Sequence, residues 1–506
     1  MTSGQALLDR NPHRHHVLQV LHSRPGELGG TEKHFWRLMQ AMSGEFDFAV
    51  FQPCASGFLL STLWSSGTGP STKLEFLIPG EPGRTAAVDD PAAASALETV
   101  LDMFDFDAVH LQNIVHHSLA PLAVLADFDG PVSCSVRDLY LACPHHWLLY
   151  RNEQSCGIPE DLTLCARCLP ETRHLDLAYL EAFRETARSR LDTIDHWVFA
   201  SQSAVDFLLR VYDLDPDRIE IIEHGAIIDV ERAPRALDRS LVLDEPLRLA
   251  FVGIGWAKKG LPVVNELAER LAGTTIELHH FGELRDSISP SVHAHGPYDN
   301  EMLPELLHRA GIQVVLLPGP FVETFGHVMT EALIAGLPVI GSRHGALGER
   351  IRKHQVGWTI DSEDLSGTRA LIENLDRCRL ELLRATQRVA QIDVQSVAST
   401  VARYAALYRS ETVGVSSVAG ADREIRRSDN ERLRRELKAV ATMNRRLEGQ
   451  LSKLSGSPAT PTRLARRVVP SLLRRARAAI VTRGFRAAGQ EASRRVVRRT
   501  KRGIRR

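Results

Sequence analysis

The segment that decides the fold is FVETFGHVMTEAL, at residues 321–333, which is followed by AGLPVI at residues 335–340. A short apolar run ending in Leu-Leu-Pro comes shortly before it. Glu323 precedes a glycine turn, and Glu331 follows eight positions later in a stretch of helical period. Because the first N–H groups of a helix attract anions, the backbone around Phe325–Val328 is predicted to hold a diphosphate. Glu331 would then accept hydrogen bonds from a ribose diol.

Short apolar runs on both sides of this segment predict the rest of the fold. In the N-terminal half they are Val17–Leu21, Ala108–Leu111, Val132–Val136, His196–Ala200 and Ile219–Glu223. In the C-terminal half they are Leu247–Gly253, Ile276–Phe281, Ile312–Leu317 and Leu337–Gly341. Amphipathic stretches lie between several of them, and this alternation predicts parallel sheets covered by helices. We therefore expect an α/β protein with two Rossmann-like, doubly wound domains, at residues 1–240 and 241–410, that face each other across a cleft.

A second strand–turn–helix signal lies near the N-terminus. Gly29 and Gly30 come soon after the first apolar run, and a helical stretch, Lys33–Met42, follows them. A glycine pair between a strand and a helix lets backbone N–H groups approach an anion closely. Taken alone, the pair also suits an ordinary tight turn.

The segment at residues 321–333 resembles the E-x7-E signature of retaining GT-B glycosyltransferases, specifically glycosyltransferase family 4. The resemblance extends over roughly residues 15–410. Further pieces that fit the family's pattern are Gly29-Gly30-Thr31-Glu32, Phe251-Val252-Gly253 with Lys259-Gly260, and Gly345-Ala346 with Glu349. One position departs from it: Ile254 stands where the family commonly carries an arginine. Lys258, or a basic residue from elsewhere, is the candidate substitute for this missing diphosphate cation.

The resemblance implies a role for each residue of the segment. The donor is a nucleotide sugar, with UDP or GDP as the nucleotide, held mainly by the C-terminal domain. Lys259 contacts the diphosphate, Glu323 the hydroxyl groups of the donor sugar, and Glu331 the ribose. The remaining donor-binding residues are Gly29, Gly30, Thr324, Phe325, Gly326 and His327. Retention in this family is thought to proceed on one face of the sugar, so the resemblance implies neither a protein nucleophile nor a catalytic metal.

The expected activity is transfer of a sugar to a cell-surface glycan or its lipid-linked precursor. On the acceptor side, His117 is the favoured catalytic residue near the donor sugar, with His116 second, and Asp138 follows the run Val132–Val136. A histidine of the core and a helix cap are the respective structural alternatives. For the whole chain, the alternative is a non-catalytic nucleotide-sugar-binding or scaffold relative, which the departure at Ile254 favours.

Four of the seven cysteines cluster in a predicted insertion at about residues 139–172. They are Cys143, Cys156, Cys165 and Cys168. A Cys-x2-Cys pair with two upstream cysteines matches a structural zinc site with four thiolate ligands. His145 and His146 are alternative ligands, and unbound thiols or a disulfide are the alternatives to a metal.

The balanced composition, with 62 Lys and Arg against 62 Asp and Glu, conceals an uneven distribution. Residues 460–506 contain 16 basic residues and one acid, a net charge of +15, so the remaining chain carries −15. A Ser/Gly/Val-rich stretch predicts a linker at residues 411–422. Heptad spacing then predicts a coiled coil at residues 423–455, with the seam Leu433, Leu437, Val440, Asn444, Leu447, Leu451 and Leu454. One Asn in a Leu seam favours a parallel homodimer, and the alternative is a lone amphipathic helix.

Residues 456–506 are predicted to form a second linker and a basic tail with apolar residues at helical spacing. This pattern suits an interfacial helix on an anionic membrane surface. Docking on a protein is an alternative, and nucleic acid is disfavoured because Phe485 is the tail's one aromatic residue. The sequence contains no apolar stretch of about 18 residues and no signal-peptide core. We therefore expect a cytoplasmic protein held peripherally at the inner face of the membrane.

Overall fold

The structure is a computed structural model that describes residues 14–24, 26, 29–64, 72–79, 88–151, 154–228 and 245–410. The predicted linker at residues 411–422, coiled coil at 423–455 and basic tail at 456–506 lie outside these described residues. Within them, no helix combines the length and the apolar character that a membrane span requires.

A mixed sheet forms the core of the N-terminal half. The strands of this half are β1 (His15–Val20), β2 (Phe46–Cys54), β3 (Gly57–Trp64), β4 (Thr72–Pro79), β5 (Ala108–Leu111), β6 (Val132–Val136), β7 (Leu149–Tyr150), β8 (Gln154–Ser155), β9 (His196–Phe199) and β10 (Ile219–Ile221). The sheet has the order β10-β9-β6-β5-β1-β2-β3-β4, and β7 and β8 form a separate ribbon. All five apolar runs predicted for this half are strands, and they pair in parallel as predicted.

The β2–β4 edge differs from the all-parallel sheet that the sequence predicts. Here β3 runs antiparallel to β2, and β4 antiparallel to β3. Only Ala55 and Ser56 connect β2 to β3, and this connection is far too short for the crossover that parallel strands need. None of these three strands is among the apolar runs predicted for this half, so the sequence analysis did not anticipate the meander.

Helices cover the sheet of the N-terminal half. They are α1 (Gly30–Met42), α2 (Pro91–Met103), α3 (Ala120–Val124), α4 (Thr163–Arg173), α5 (Leu177–Arg188) and α6 (Gln202–Leu209). Three of them begin at side chains that accept hydrogen bonds from the first turn: Asp90 before α2, Asp176 before α5 and Ser201 before α6. Such caps satisfy N–H groups that the helix itself leaves without partners, so they fix where each helix starts.

The C-terminal half is a doubly wound, all-parallel sheet. Its strands are β11 (Leu247–Val252), β12 (Ile276–Phe281), β13 (Val292–Ala294), β14 (Val314–Leu317), β15 (Val339–Ser342) and β16 (Gly357–Ile360). The helices are α7 (Leu261–Arg270), α8 (Leu303–Arg309), α9 (His327–Ile334), α10 (Gly345–His354), α11 (Leu365–Arg377), α12 (Arg379–Val389) and α13 (Val397–Arg409). All four predicted apolar runs of this half are strands.

The strand order of this sheet, β13-β12-β11-β14-β15-β16, reverses direction between β11 and β14. Ligands of doubly wound sheets bind at such a reversal, beyond the carboxyl ends of the strands. Alternate residues of the central strands bury on opposite faces, with Leu249 and Leu316 in one apolar cluster and Ala250 and Val315 in the other. Because both faces are buried, these strands appear in the sequence as continuous apolar runs.

The last described helix, α13, packs against the N-terminal sheet, although the sequence-based division assigns residues 241–410 to the C-terminal domain. Tyr404 and Tyr408 are fully buried in the cluster that contains Phe46 and Phe48. The Tyr408 hydroxyl also lies 2.8 Å from Nδ1 of His110 on β5. The chain therefore returns to its first half after completing the second, because the apolar face of α13 completes the N-terminal core.

Candidate active site

The turn between β14 and α9 is the centre of the candidate site. Gly326 adopts a left-handed conformation with φ of 82°, which residues with a Cβ rarely adopt, and it is the N-cap of α9. No side chain among the described residues caps this helix. Its first N–H groups therefore point outward without side-chain acceptors, as an anion-binding helix terminus requires.

Hydrogen bonds from the N-terminal half hold the same turn. The Thr324 hydroxyl donates to the carbonyl oxygen of Arg137 at 2.7 Å, across the two halves of the molecule. The Ser201 hydroxyl, which also caps α6, donates to the carbonyl oxygen of Thr324 at 2.8 Å. Thr324 therefore joins the two halves, and hydrogen bonds from the opposite side of the cleft fix its position in the turn.

Arg350 of α10 supports the turn from within the C-terminal half. Its guanidinium donates to the carbonyl oxygen of Phe325 at 3.1 Å and to the hydroxyl of Thr330 at 2.9 Å. It also lies 4.4 Å from the centroid of the Phe325 ring. Burial lowers the pKa of Arg350 to about 10. The Phe325 side chain is itself buried, so it stabilises the turn from beneath.

The glycine loop before α1 faces the start of α9. A Cβ on Gly30 would lie 2.8 Å from Cδ2 of His327, so a larger residue would push the two helix ends apart. The Gly29 N–H donates to the Glu32 carboxylate at 2.9 Å, which fixes the start of α1. The structure therefore brings Gly29, Gly30 and His327 together at one point of the cleft.

Lys259 and Glu323 form an ion pair at the mouth of this site. The ammonium lies 2.5 Å from Oε1 of Glu323 and 4.6 Å from the centroid of the Phe321 ring. Gly260, with φ of 96°, packs so closely on Gly319 that a Cβ would lie 2.7 Å from its nitrogen. This contact positions the Lys259 loop beside the strand end that leads to Glu323. Both charged groups are partly exposed, so a ligand can displace either one from the ion pair.

Lys258, the candidate substitute for the arginine that the family commonly carries at position 254, is directed toward two tryptophan rings. Its ammonium lies 3.4 Å from the centroid of the Trp147 ring and 4.8 Å from that of Trp256. Burial lowers the pKa of Lys258 to about 8. The Lys258 ammonium therefore makes cation–π contacts with both tryptophan rings.

Glu331 is almost completely buried, with 1% of its surface exposed. One carboxylate oxygen accepts a hydrogen bond from Nδ2 of Asn300 at 2.6 Å, whereas the other has no partner among the described residues. Burial raises the pKa of Glu331 to about 7, against the opposing effects of Asn300 and Lys33. Lys33 of α1 donates to Oδ1 of the same Asn300. A hydrogen-bonded chain thus runs from α1 of the first half to Glu331 of the second.

His117 lies inside the N-terminal core. It is fully buried, its ring centroid lies 5.4 Å and 5.7 Å from those of Phe51 and Phe58, and its Nε2 lies 2.9 Å from the carbonyl oxygen of Leu21. Burial lowers its pKa to about 4. The neighbouring His116 is the exposed member of the pair, with its ring centroid 6.3 Å from that of His22. The sequence pattern cannot tell which of two adjacent side chains points outward from a loop.

Asp138 is partly exposed and organises its own loop. Its carboxylate accepts hydrogen bonds from Nδ2 of Asn113 at 2.8 Å and from the N–H of Tyr140 at 3.0 Å. These contacts are those of a loop-stabilising carboxylate. They join the ends of β5 and β6 at the cleft side of the sheet.

A buried cluster that the sequence analysis missed surrounds Arg137. Its guanidinium donates to Oε1 of Gln112 at 2.8 Å and lies 3.1 Å from Nδ1 of His34 and 3.3 Å from Nε2 of His224. Burial, followed by the charge of Arg137, lowers the pKa of His327 to about 3. Burial likewise lowers the pKa values of His34 and His224, so it disfavours the charged form of these histidines. No residue pattern indicates this cluster, because its members come from widely separated parts of the chain.

The four cysteines occupy one region of the N-terminal half. Cys165 and Cys168 lie one turn apart on α4, Cys156 follows β8, and Cys143 lies in the loop after β6. Burial is the main cause that raises the pKa of Cys143 to about 12, and the nearby thiols of Cys156 and Cys165 contribute. All four are free thiols. Their sulfurs do not form a group of three ligand atoms within 4.8 Å of one another, judged over the described part of the chain.

Family models cover most of the described chain. Residues 28–232 match the model described as Glycosyltransferase Family 4, and residues 240–388 match the model described as Glycosyl transferases group 1. The two matches meet near the division between the two halves of the structure.

Curated relatives match over a shorter part of the chain. Glycogen synthase of Mycobacterium tuberculosis is 29% identical over 236 residues, which are 43% of this chain and 55% of that protein. D-inositol 3-phosphate glycosyltransferase of Mycobacteroides abscessus is 27% identical over 188 residues, which are 34% of this chain and 42% of that protein. The chain thus spans about half the length of the curated relatives it matches.

Solved structures match over nearly their full length. HepE of Anabaena, in a complex with UDP, aligns with a TM-score of 0.53 and 12% identity over 77% of this chain and 98% of that one. Sucrose-phosphate synthase of Thermosynechococcus elongatus aligns with a TM-score of 0.54 and 15% identity over 78% and 98% of the two chains. At these identities the likeness is one of fold, and it confirms the predicted GT-B arrangement of two Rossmann-like domains.

Burial of Glu331 predicts how the stability of the ligand-free protein changes with pH. A folded-state pKa of about 7, above the ordinary value of 4.5, means that the folded protein keeps a proton which the unfolded chain releases. Compared with Glu331→Gln, the wild type should therefore lose up to about 3 kcal/mol of stability as the pH rises from about 4.5 to about 7, after which the difference levels off. Urea unfolding between pH 5 and pH 8 should show this loss as a difference between the two proteins, because buried histidines with lowered pKa values, such as His117 and His327, add the opposite pH dependence to both.

The matched control is Glu305→Gln, which removes a partly exposed carboxylate that pairs with Arg309 on α8. This variant should keep the pH dependence of the wild type. The same slope of stability against pH in Glu331→Gln and in the wild type would contradict the assignment.

Proposed function

Because the chain is a GT-B glycosyltransferase of the family 4 type, we propose that it transfers a sugar, with retention, from a nucleoside diphosphate sugar to a cell-surface glycan or its lipid-linked precursor. The observation that carries the proposal is the placement of Glu331, the α9 terminus and the Lys259–Glu323 pair in one cleft. This arrangement offers an acceptor for ribose hydroxyls, donors for a diphosphate, and a carboxylate for sugar hydroxyls.

The nucleoside would be held by Glu331. One of its oxygens lacks a hydrogen-bond partner among the described residues, and leaving a buried carboxylate oxygen unsatisfied is costly. Two adjacent ribose hydroxyls would satisfy it and would favour the ionised carboxylate. UDP in the HepE complexes makes UDP-sugars the first donors to test.

The diphosphate would be held between Lys259 and the N-terminus of α9. In the transfer step negative charge grows on the departing diphosphate, and a fixed ammonium and oriented N–H groups offset this charge without reorganising. Because Lys259 and Glu323 lie side by side, a ligand that displaces their ion pair would contact both: its diphosphate the ammonium, and its sugar hydroxyls the carboxylate. The incoming acceptor hydroxyl would attack from the face that the diphosphate leaves, with the departing phosphate taking its proton.

A thermal-shift screen of UDP-, GDP- and ADP-sugars, followed by assays of donor hydrolysis and transfer, tests this proposal. We expect stabilisation by one donor class and turnover of it, with kcat at least about 100-fold lower in Lys259→Met and in Glu323→Gln. Lys353→Met, which removes an exposed ammonium 3.7 Å from Glu223, is the matched control and should retain activity.

The rival function is a non-catalytic nucleotide-sugar-binding or scaffold protein, which Ile254 and the engagement of Lys258 with two tryptophans favour. It predicts that one nucleotide sugar binds, that Glu331→Ala abolishes binding, and that no donor is turned over. That combination of results would overturn the enzymatic proposal.

A structural zinc ion bound by Cys143, Cys156, Cys165 and Cys168 is a further part of the proposal. The spacing of the last two on one helical face and the mutual influence of the thiols support it. The bound ion would hold the four sulfurs as thiolates and would join α4 to the segments that carry Cys143 and Cys156.

Elemental analysis of the purified chain should find at least about one zinc per molecule, as expected for a four-thiolate site. Cys165→Ser should lose about one zinc per molecule and lower the melting temperature, whereas Cys54→Ser, outside the cluster, should do neither. A zinc-free protein whose melting temperature is unchanged in Cys165→Ser would exclude the structural zinc.

The C-terminal extension is proposed to pair two chains through residues 423–455 and to bind anionic membranes through residues 460–506. The net charge of +15 in the tail supports the membrane role, and pairing would double the number of attached tails. Flotation with phosphatidylserine vesicles should recover the full chain, and added salt should weaken the attachment because it screens the charges. A chain ending at residue 459 is the control; equal flotation by both forms would reject the membrane role.

A further inference from the structure

We propose that Glu277, His279 and His293 form a binding site for a divalent transition-metal ion at the β12–β13 edge of the C-terminal sheet. One ligand atom from each residue lies within 4.8 Å of the others. Among the described residues, this is the group of metal-binding side chains that meets this distance. The site is separate from the cleft, because Glu277 lies at the amino end of β12 and the cleft lies beyond the carboxyl ends of the strands.

The register of two parallel strands creates the group. His279 pairs with His293, and side chains alternate between faces along a strand. Glu277 and His279 on β12 therefore share a face with His293 on β13 and with His295, which directly follows that strand. Leu278 and Val292, which bury in the apolar cluster with α7, occupy the opposite face.

His279 carries the observation that points to a ligand. It is 93% buried, and its Nδ1 lies 2.9 Å from Nε2 of His295. Its other nitrogen, Nε2, has no hydrogen-bond partner in the described part of the chain and is directed toward the Glu277 carboxylate at 3.6 Å. A buried polar nitrogen without a partner is costly, and a metal ion between the imidazole and the carboxylate would satisfy it.

Neighbouring groups orient the proposed ligands. The ring of His295 stacks on Phe281 with centroids 4.1 Å apart and planes 3° from parallel. This stacking fixes the position of the His295 Nε2 that faces Nδ1 of His279. Arg248 donates from Nε to Oε2 of Glu277 at 2.7 Å, which fixes the carboxylate oxygen that faces Nε2 of His279. Such outer partners fix the tautomer and the direction of metal ligands. The nearby guanidinium charge opposes a second cation, so we expect a site of moderate affinity.

The ligand types select the class of ion. Two imidazole nitrogens and one carboxylate oxygen suit Zn²⁺, Co²⁺ or Ni²⁺, whereas Ca²⁺ and Mg²⁺ prefer oxygen ligands. Because His293 is exposed, water can complete the coordination. The ion would join the three-residue edge strand β13 to its neighbour.

Titration of the full chain with Co²⁺ alone tests the proposal, with binding monitored by calorimetry and by visible absorption. Cobalt at this site should show ligand-field bands without thiolate charge-transfer bands, which distinguishes it from cobalt bound by the cysteines. We expect the Kd of this component to rise at least about tenfold in His293→Ala and in Glu277→Gln.

Two controls match these variants. Glu245→Gln removes another carboxylate of the Arg248 ion-pair network, at 3.6 Å, and His354→Ala removes a histidine at the end of α10, which packs on β15 and β16 near the other edge of the sheet. Both should bind Co²⁺ as the wild type does. His293→Ala lies on an exposed edge strand, and an unchanged melting curve without metal verifies that it folds. Wild-type affinity in both ligand variants, or cobalt bands from thiolates alone, would overturn the proposal.

Discussion

The hydrogen bond from the Thr324 hydroxyl to the carbonyl oxygen of Arg137 is the contact on which the candidate site depends. It joins the turn before α9 to the end of β6, and Ser201 reinforces it from the start of α6. Two halves with separate sheets and separate apolar cores are thereby held at the point where an anion would bind. The helix terminus is positioned by both halves, so its N–H groups are preorganised before any ligand arrives.

Burial determines the electrostatics of this cleft. The Glu331 carboxylate, the Arg137 guanidinium and the surrounding histidines all lie out of water, and in each the charged form is disfavoured by desolvation. The partly exposed charges at the mouth, Lys259 and Glu323, neutralise each other. An anionic donor can therefore be held locally, by a helix terminus and one ammonium, within a body whose net charge is −15 outside the tail.

The sequence predicted the parts of the fold whose signals are local. Every apolar run proposed as a strand is a strand, because strands buried on both faces appear as continuous apolar stretches. The β2–β4 meander was not anticipated, because none of its three strands is among the proposed apolar runs. The return of α13 to the N-terminal core also depends on contacts between distant residues, such as Tyr408 with Gln19.

The candidate site was predictable only in part, for the same reason. The motif at residues 321–333 indicates which residues surround the α9 terminus, and the Lys259–Glu323 pair agrees with their expected proximity. The direction of His117 into the core, however, depends on Phe51 and Phe58 from other strands. The Arg137 cluster likewise joins distant parts of the N-terminal half, and the Asn300 link between Lys33 and Glu331 arises only when the two halves meet.

The central claim is that a nucleoside diphosphate sugar occupies the cleft with its ribose on Glu331 and its diphosphate between Lys259 and the α9 terminus. A crystal structure of the chain with the intact donor identified by screening measures this directly. We expect ribose hydroxyls within hydrogen-bond distance of Glu331, and a Lys259 ammonium that has exchanged the Glu323 carboxylate for a phosphate oxygen. Density for the donor elsewhere, with the Lys259–Glu323 pair intact, would contradict it.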